Sequence, residues 1–254
     1  INSYVSLPVQ IAPGRDRERR FYEKALEMPG VETVITSEDV PGEDRFGVYY
    51  HDQPVLAKGK IRFYGEPVVA IVAETLEDAE EAEKGVEITY KKLPVVSNIQ
   101  EAIECKAVLH EDHPDNIVST TCVQKGNVEE GFKSSEIIIE KDFSTQAVDH
   151  AYLETEAGIS YCDPDGTIVV KSCDQDITHH RVLLAKILGM PINKVRVIMS
   201  PVGGGFGGKE DMIYQAILAI ATLKTNQPVK LVFSREDSMI GSCKRHPVTM
   251  HYKI

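Results

Sequence analysis

Basic residues are scarce in this sequence, and long apolar runs are absent. The chain of 254 residues carries 28 Lys and Arg against 39 Asp and Glu, a net charge of −11. Nucleic-acid binding needs clustered Lys and Arg, so this balance argues against it. The run of apolar residues at 68–73 is far shorter than the roughly 20 residues that a membrane span needs. We therefore expect neither a nucleic-acid partner nor a membrane.

Closely spaced cysteines are also missing. The five cysteines include no Cys-x-x-Cys pair. No leader pattern precedes them, and an odd count of this kind fits a reducing cytoplasm better than a disulfide framework. Zinc or iron–sulfur ligation is not expected, because no two cysteines are neighbours in sequence. We interpret all five as free, buried thiols and expect a cytoplasmic protein.

Residues 1–110 are predicted to form a first domain that ends in a linker. Its predicted strands, which rest on alternating or continuous apolar residues, are 31–40 with its turn, 60–63, 68–73 and 87–90. Thr75 begins a capping box before a helix that ends at Gly85. The irregular stretch 104–121 is predicted as a solvated linker. His110 and His113 within it lack a third ligand nearby, so a metal site there is disfavoured.

Residues 111–254 are predicted to form a second domain. The elements predicted from periodicity and turn residues are a buried strand 136–140, a hairpin 159–170, a helix 176–188, a strand 194–199, a helix from about 210 to 224, and a strand 229–233. The later helix is apolar on all sides at 216–221, so it belongs in the core. The end of the chain, 250–254, alternates like a strand, and we interpret the chain as part of a longer polypeptide.

A glycine loop is the densest motif of the sequence. Five of the six residues 203–208 are Gly, with Phe206 among them, and Lys209, Glu210 and Asp211 follow. The spacing formally satisfies the dinucleotide fingerprint G-x-G-x-x-G. A helix N-terminus favours a bound anion such as phosphate. Here, however, Glu210 and Asp211 would place two carboxylates at that position, and their negative charge disfavours a phosphate. Close backbone approach to a flat or bulky ligand is the preferred interpretation.

A second polar cluster occupies residues 149–156. Asp149, His150, Glu154 and Glu156 are close together in sequence, so an acid–base or metal site is conceivable. The pattern is not His-Glu-x-x-His, and on its own it favours a buried polar network.

The order of these motifs resembles the molybdenum hydroxylases, the xanthine dehydrogenase and aldehyde oxidase family. The segments that carry the resemblance are 64–75, 125–129, 149–154, 173–175 with 188–191, the glycine loop through Glu210, and 244–247. The resemblance implies an α+β fold, with a hammerhead-type α/β domain followed by the first part of a molybdenum-cofactor-binding domain. It also implies hydroxylation of a heteroaromatic ring or aldehyde with water, and passage of two electrons to 2Fe-2S clusters and FAD on partner subunits or domains.

The resemblance assigns roles to residues of the loop. It implies that Gly205, Phe206, Gly207, Gly208 and Gln175 bind the molybdopterin cofactor, which in some relatives has a cytosine dinucleotide form. Phe206 and Gly207 are implied to lie beside the molybdenum through their backbone only. The backbone N–H groups of such a loop stabilise negative charge without side-chain obstruction.

The same resemblance places other groups outside the chain or leaves them open. The general base is expected beyond Ile254, so no catalytic residue is assigned here and the isolated chain is expected to be inactive. Expected partners are the C-terminal molybdopterin-binding half, an iron–sulfur subunit and an FAD subunit. Val148 stands where xanthine dehydrogenases carry Gln, and the charged run from Arg15 to Arg20 has no assigned role.

Glu210 suggests the substrate class. Family members that act on purines carry glutamate just after the Gly-Gly-Lys of this loop, so the resemblance favours a small purine-like or nicotinate-like heteroaromatic substrate. The alternative is that Glu210 caps the following helix and interacts with its dipole. Two other functions stay open: a non-catalytic assembly module of an electron-transfer complex, and an NAD-dependent dehydrogenase.

Overall fold

A computed structural model describes residues 2–4 and 21–254 of the chain, so the run from Arg15 to Arg20 lies outside the described residues. The chain divides into two compact units. The first contains residues 1–91 and 149–243, and the second contains 92–148 and 244–254. The compact units therefore do not follow the linear order of the sequence.

Eleven strands and seven helices are assigned in the described part of the chain. The strands are β1 Asn2–Tyr4, β2 Val31–Ile35, β3 Arg45–Phe46, β4 Gln53–Pro54, β5 Ala70–Ala73, β6 Glu140–Thr145, β7 Ala157–Cys162, β8 Ile168–Ser172, β9 Val195–Met199, β10 Val229–Val232 and β11 Val248–Lys253. The helices are α1 Glu23–Leu26, α2 Leu76–Glu83, α3 Ile99–Ile103, α4 Val128–Ser134, α5 Ile177–Ile187, α6 Gln215–Thr225 and α7 Arg235–Gly241.

A sheet of seven strands forms the frame of the first unit, in the order β2-β5-β1-β10-β7-β8-β9. The β1–β10 and β8–β9 pairs are parallel and the other neighbours are antiparallel. Strands from before residue 91 and from after residue 149 thus share one sheet. β3 pairs with β4 in a separate small sheet. In the second unit, β6 pairs antiparallel with β11.

The main core lies between the sheet and two helices. α6 is buried from Gln215 to Thr222, because its apolar residues surround the whole helix axis. α5 begins at the N-cap Asp176, whose side chain accepts from the backbone N–H of His179. Its buried residues include His180 and Leu184, and both helices join the same apolar cluster.

Most elements predicted from the sequence are confirmed. They are the strands at 31–35, 70–73, 195–199 and 229–232, the helix after Thr75, the hairpin β7–β8, the helix α5, and the strand at the end of the chain. The boundaries agree to within a few residues, for example β9 at 195–199 for the predicted 194–199 and α5 at 177–187 for the predicted 176–188. The α+β class is also confirmed.

The predicted start of the later helix is wrong. α6 begins at Gln215, not near Glu210. The side-chain oxygen of Gln215 accepts from the backbone N–H groups of Ile213 and Tyr214, and the Glu210 carbonyl accepts from His180. These bonds hold 210–214 outside the helix.

Three predicted strands are wrong in position or type. Residues 60–63 and 87–90 form no strand, although Ile88 and Tyr90 still pack on a small apolar cluster. The alternation of apolar residues therefore predicted correctly that some of these side chains are buried, but these segments do not pair with a neighbouring strand. The strand predicted at 136–140 begins instead at Glu140, and Ile137, Ile138 and Ile139 are exposed in this chain.

The cysteine prediction is partly confirmed. All five thiols are free, but Cys105, Cys122 and Cys162 are exposed, and only Cys173 is fully buried. Among the described residues, no group of three His, Cys, Asp or Glu side chains is arranged to hold a metal ion. No helix within 2–4 and 21–254 is long and apolar enough to cross a bilayer.

Candidate functional site

The glycine loop connects β9 to α6 in the first unit, and its backbone is unusual. Gly204 and Gly207 have φ angles of +99° and +91°, and Phe206, a non-glycine residue, has +53°. Phe206 is also 76% exposed, so its ring is presented outward instead of contributing to the core. A bulky residue held with positive φ is strained, and such strain often marks a binding site.

Tyr152 forms the floor on which the loop lies. A Cβ placed on Gly204 would stand 3.1 Å from the Tyr152 Cβ atom. One placed on Gly208 would stand 2.8 Å from Tyr152 Cε1 and 2.9 Å from His150 Nδ1. The close approach favours glycine at Gly208, and the φ angle of +99° favours it at Gly204. These glycines therefore pack against the protein's own tyrosine, and close approach of the loop to a ligand stays a prediction.

Gln175, which follows β8, holds the middle of the loop. Its side-chain oxygen accepts from the backbone N–H groups of Gly207 at 3.1 Å and Lys209 at 3.0 Å. Its own backbone N–H donates to the Lys209 carbonyl at 3.0 Å. A Cβ on Gly205 would collide with the same side chain. The structure thus brings Gln175 together with the residues 205–209 that the resemblance grouped with it.

An ion pair between Lys209 and Glu154 holds the two ends of the loop. The Lys209 side chain is 1% exposed, and its ammonium lies 2.8 Å from a Glu154 oxygen and 4.6 Å from the centre of the Tyr152 ring. The same Glu154 oxygen accepts from Gly203 N–H at 2.8 Å. Burial raises the pKa of Glu154, but the bonds from Lys209 and Gly203 outweigh burial and lower it overall. Glu154 therefore links Gly203 and Lys209 across the loop.

The 149–156 segment is a polar network, in keeping with the interpretation favoured from the sequence. The buried Tyr152 hydroxyl donates to the buried Glu156 carboxylate, and Asp149 accepts from the backbone N–H of Ala151. Burial, together with the neighbouring Glu156, raises the pKa of the Tyr152 hydroxyl above its ordinary value. Together with Glu154, this segment supports the loop from below.

Asp174 and His180 are site residues that the sequence reasoning missed. Both side chains are fully buried, with His180 Nδ1 2.7 Å from Asp174 Oδ2. His180 Nε2 lies 2.7 Å from the backbone oxygen of Glu210. The sequence placed His180 only on the apolar face of α5. A titratable residue on an apolar helix face was the signal that could have indicated this site. Its partner, Asp174, lies six residues earlier in the sequence.

Three consecutive backbone N–H groups of the loop are open. Among the residues that the structure describes, those of Gly204, Gly205 and Phe206 donate to no acceptor. Nothing lies within 4 Å of a Cβ built on Gly207. Successive N–H groups in a chain of alternating φ sign form a concave site for an anionic group. This geometry fits a bulky anionic cofactor approached by backbone alone.

Glu210 lies at the end of the loop and is exposed. Its carboxylate makes no hydrogen bond to another residue in the described part of the chain. Because α6 begins at Gln215, the helix-cap interpretation of Glu210 is wrong. The loop also does not lead directly into a helix N-terminus, so Glu210 and Asp211 do not stand at a helix start. Val148 belongs to the second unit and pairs there with Arg245.

The fold and the loop together define a class: an α+β cofactor-binding protein with a braced glycine loop that presents open backbone donors. Comparisons with known proteins give the family. Residues 109–254 match the molybdopterin cofactor-binding domain, and residues 21–94 match the a/b hammerhead domain of aldehyde oxidase and xanthine dehydrogenase. The chain belongs to this molybdenum hydroxylase family, and the predicted family is confirmed.

Two relatives illustrate the similarity. The chain is 38% identical over 231 residues to a Bacillus subtilis protein named as one subunit of a probable xanthine dehydrogenase, covering 91% of this chain and 31% of that protein. It is 37% identical to the nicotinate dehydrogenase large molybdopterin subunit of Eubacterium barkeri, covering 91% and 54%. The chain thus spans about a third to a half of the length of these relatives.

Solved structures show the same fold. Aldehyde oxidoreductase from Desulfovibrio gigas superposes with a TM-score of 0.90 at 25% identity, over 99% of this chain and 29% of that one. Quinoline 2-oxidoreductase from Pseudomonas putida 86 has a TM-score of 0.87 at 23% identity, over 99% and 33%. The second match supports the fold alone.

We predict that Glu154→Gln destabilises the first unit by about 2–3 kcal/mol, because it leaves the buried Lys209 ammonium without a counter-charge. This expected loss of stability is no larger than the roughly 3–5 kcal/mol that breaking a fully buried ion pair costs. It is smaller because the Glu154 side chain is 35% exposed, so water screens part of the interaction. Urea unfolding measures the difference. The matched control is Glu43→Gln, which neutralises the exposed Glu43–Lys186 pair and should cost less than about 0.5 kcal/mol. Equal losses for both variants would contradict the prediction.

The loss should depend on pH in a defined direction. The pKa of Glu154 is lower in the folded chain, so its stabilisation is complete above the unfolded-state pKa of about 4.3 and is lost as the pH falls through the folded value. The difference between wild type and Glu154→Gln should therefore shrink below about pH 4.

Proposed function

We propose that this chain forms the molybdopterin-binding portion of a molybdenum hydroxylase that uses water to hydroxylate an N-heteroaromatic substrate. The observation that carries the proposal is the row of open backbone N–H groups from Gly204 to Phe206, held in place by Gln175 and the Lys209–Glu154 pair. Two electrons leave the substrate and pass to iron–sulfur and flavin partners. The names of the Bacillus subtilis and Eubacterium barkeri relatives support this assignment.

The chain's own residues would bind the cofactor in distinct ways. The backbone of Gly205, Phe206, Gly207 and Gly208 provides donors and space without side-chain obstruction. The carbonyl of Gln175 is occupied by the loop, but its amide N–H groups donate to no other described residue and remain for a ligand. Phe206 and Gly207 would lie beside the molybdenum through backbone atoms only. When bound, the cofactor supplies the acceptor for the two substrate electrons.

Glu210 is proposed to bind the substrate. Its exposed carboxylate, free of the helix and of other described side chains, accepts from a ring N–H group, and such a group is present in purines. An aldehyde offers no such donor. The bond orients a purine-like ring and disfavours aldehydes, which lack the donor. It favours a purine-like substrate over a nicotinate-like one, because a pyridine ring has no N–H group.

The remaining parts of the proposed enzyme lie outside this chain. They are a C-terminal molybdopterin-binding half with the general base, an iron–sulfur subunit with 2Fe-2S clusters, and an FAD subunit. We also propose the cytoplasm as its location and keep the sequence division at residue 110 as a proposed domain boundary. A cytosine dinucleotide form of the cofactor is part of the same proposal.

Metal analysis of the complete enzyme tests the function directly. We expect molybdenum in an amount comparable to the concentration of this chain, in enzyme purified from its native source. Finding no molybdenum would contradict the proposal and favour the non-catalytic assembly module. Binding of a nicotinamide cofactor by the complex would favour the NAD-dependent dehydrogenase.

Gly207→Val should abolish turnover while the fold is retained, because its side chain would occupy the open space beside the proposed cofactor. Turnover, molybdenum content and thermal unfolding of the complete enzyme measure the effect. Gly59→Val is the matched control, since Gly59 also has positive φ, at +74°, and open surroundings. Both variants carry similar backbone strain, so only the loop variant should lose turnover. Wild-type rates in Gly207→Val would show that the loop is not at the metal.

Glu210→Gln should reduce kcat/KM for the heteroaromatic substrate by about fivefold to 150-fold, equivalent to about 1–3 kcal/mol, because a neutral amide oxygen accepts from the ring N–H more weakly than a carboxylate does. Steady-state kinetics of the complete enzyme measure the loss. Asp211→Asn removes the neighbouring charge and should leave kcat/KM within about twofold. An unchanged kcat/KM in Glu210→Gln would remove Glu210 from the substrate site.

A further inference from the structure

The backbone at Glu210 is held by a buried histidine, His180, which is itself paired with a buried aspartate, Asp174. His180 projects from α5 and is fully buried, and its Nε2 lies 2.7 Å from the Glu210 backbone oxygen. Its Nδ1 lies 2.7 Å from Asp174 Oδ2, and Asp174 is fully buried as well. The contact joins two segments that are 30 residues apart in sequence.

The hydrogen-bond partners define the orientation of the imidazole ring. A backbone carbonyl only accepts, so Nε2 must donate to Glu210. Asp174 also accepts from the Ser172 hydroxyl at 3.2 Å and from the backbone N–H of Asp176 at 3.1 Å. The remaining bond, between Asp174 Oδ2 and Nδ1, holds the ring with its Nε2–H towards Glu210. Burial lowers the pKa of His180, but the bond to and charge of Asp174 outweigh it and raise the pKa overall.

The contact has a direct consequence for the side chain of Glu210. The segment 210–214 is outside any helix, so regular backbone hydrogen bonds do not orient it. The Glu210 N–H bond to the Gly207 carbonyl is long, at 3.4 Å, whereas the His180 bond to the Glu210 oxygen is short. The peptide before Glu210 is held by the bond from Gln175 to the Lys209 carbonyl, and the peptide after it by the bond from His180. The orientation of the Glu210 Cα–Cβ bond thus depends on His180 on its C-terminal side.

We propose that His180 is a positioning residue for substrate recognition, which holds Glu210 in place through the backbone carbonyl of that residue. His180 itself does not touch the substrate. Asp174 stabilises the buried imidazole, but positioning needs only a donor at the place of Nε2 that reaches the Glu210 carbonyl. The proposal rests on the proposed function, in which Glu210 contacts the heteroaromatic ring.

Two isosteric variants separate positioning from simple stability. His180→Gln places an amide nitrogen near the position of Nε2, so the bond to Glu210 is retained and the bond to Asp174 is lost. His180→Asn places one near Nδ1, so the bond to Asp174 is retained and the bond to Glu210 is lost. Each variant removes one bond from the same buried network, so both should lower the thermal unfolding temperature of the complete enzyme by similar amounts.

The two variants should differ in KM. We expect His180→Asn to raise KM for the heteroaromatic substrate by about tenfold with kcat within about threefold, as for one lost orienting hydrogen bond. His180→Gln should leave KM within about threefold of wild type. The equilibrium dissociation constant of the heterocycle, measured without turnover, should follow the same order. A merely structural role would give equal KM changes in both variants and would overturn the proposal.

A double-variant test identifies Glu210 as the group through which His180 acts. In a Glu210→Gln background, His180→Asn should raise KM by no more than about twofold further, because the orientation of a weakened contact matters less. Full additivity of the two changes would overturn the proposal. If Glu210→Gln alone has no effect on KM, the proposed substrate contact has failed. If Glu210→Gln raises KM but the two histidine variants do not differ, only the positioning role has failed.

Asp174→Asn tests the same idea if the histidine variants do not assemble. The amide that this substitution introduces can donate to Nδ1 of a neutral imidazole whose Nε2–H still donates to Glu210, while the amide oxygen still accepts from Asp176. KM should stay within about twofold of wild type, even though the unfolding temperature falls. A rise in KM of about tenfold would show that the buried charge affects the site by another route, and would overturn the proposal.

Discussion

The buried ammonium of Lys209 is the constraint on which the candidate site depends. A loop with five glycines in six residues loses much conformational entropy when it is ordered, so it needs strong and directional contacts to hold one shape. Lys209 supplies them by engaging Glu154 and the face of Tyr152, while Glu154 reaches back to Gly203. The loop is thereby closed at both ends, and its glycines are free to serve close approach instead of flexibility.

Two further contacts complete this arrangement, and each holds backbone atoms. Gln175 accepts from the N–H groups of Gly207 and Lys209, and His180 donates to the carbonyl of Glu210. Gln175 lies between β8 and α5, and His180 is part of α5, so both side chains come from segments that are anchored in the sheet and the main core. Only the N–H groups of Gly204, Gly205 and Phe206 are left open among the described residues of the loop. The scaffold therefore determines which part of the loop is available to a ligand.

The sequence predicted elements whose stability is local. The hairpin β7–β8 and the helices after Thr75 and Asp176 have their turn or cap residues adjacent to the apolar pattern, so pattern and boundary agree. The start of α6 was predicted wrongly because it depends on specific side-chain bonds, two from Gln215 itself and one from His180, which is 30 residues from Glu210. The pairing of Asp174 with His180 was missed for a related reason. Single residues on an apolar helix face do not indicate which backbone atom they contact.

The mixed order of the seven-stranded sheet explains why the linear division of the chain was difficult to predict. Near the other end of the core, the Lys224 ammonium at the end of α6 donates to the Val34 carbonyl of β2 at 2.9 Å. α6 begins just after the glycine loop, whereas β2 belongs to the portion that matches the hammerhead family. The helix that follows the loop is thus held by the portion of the chain that precedes residue 91. The portion that matches the hammerhead family therefore helps to hold the helix that continues from the glycine loop, because the Val34 carbonyl accepts from Lys224 at the end of that helix.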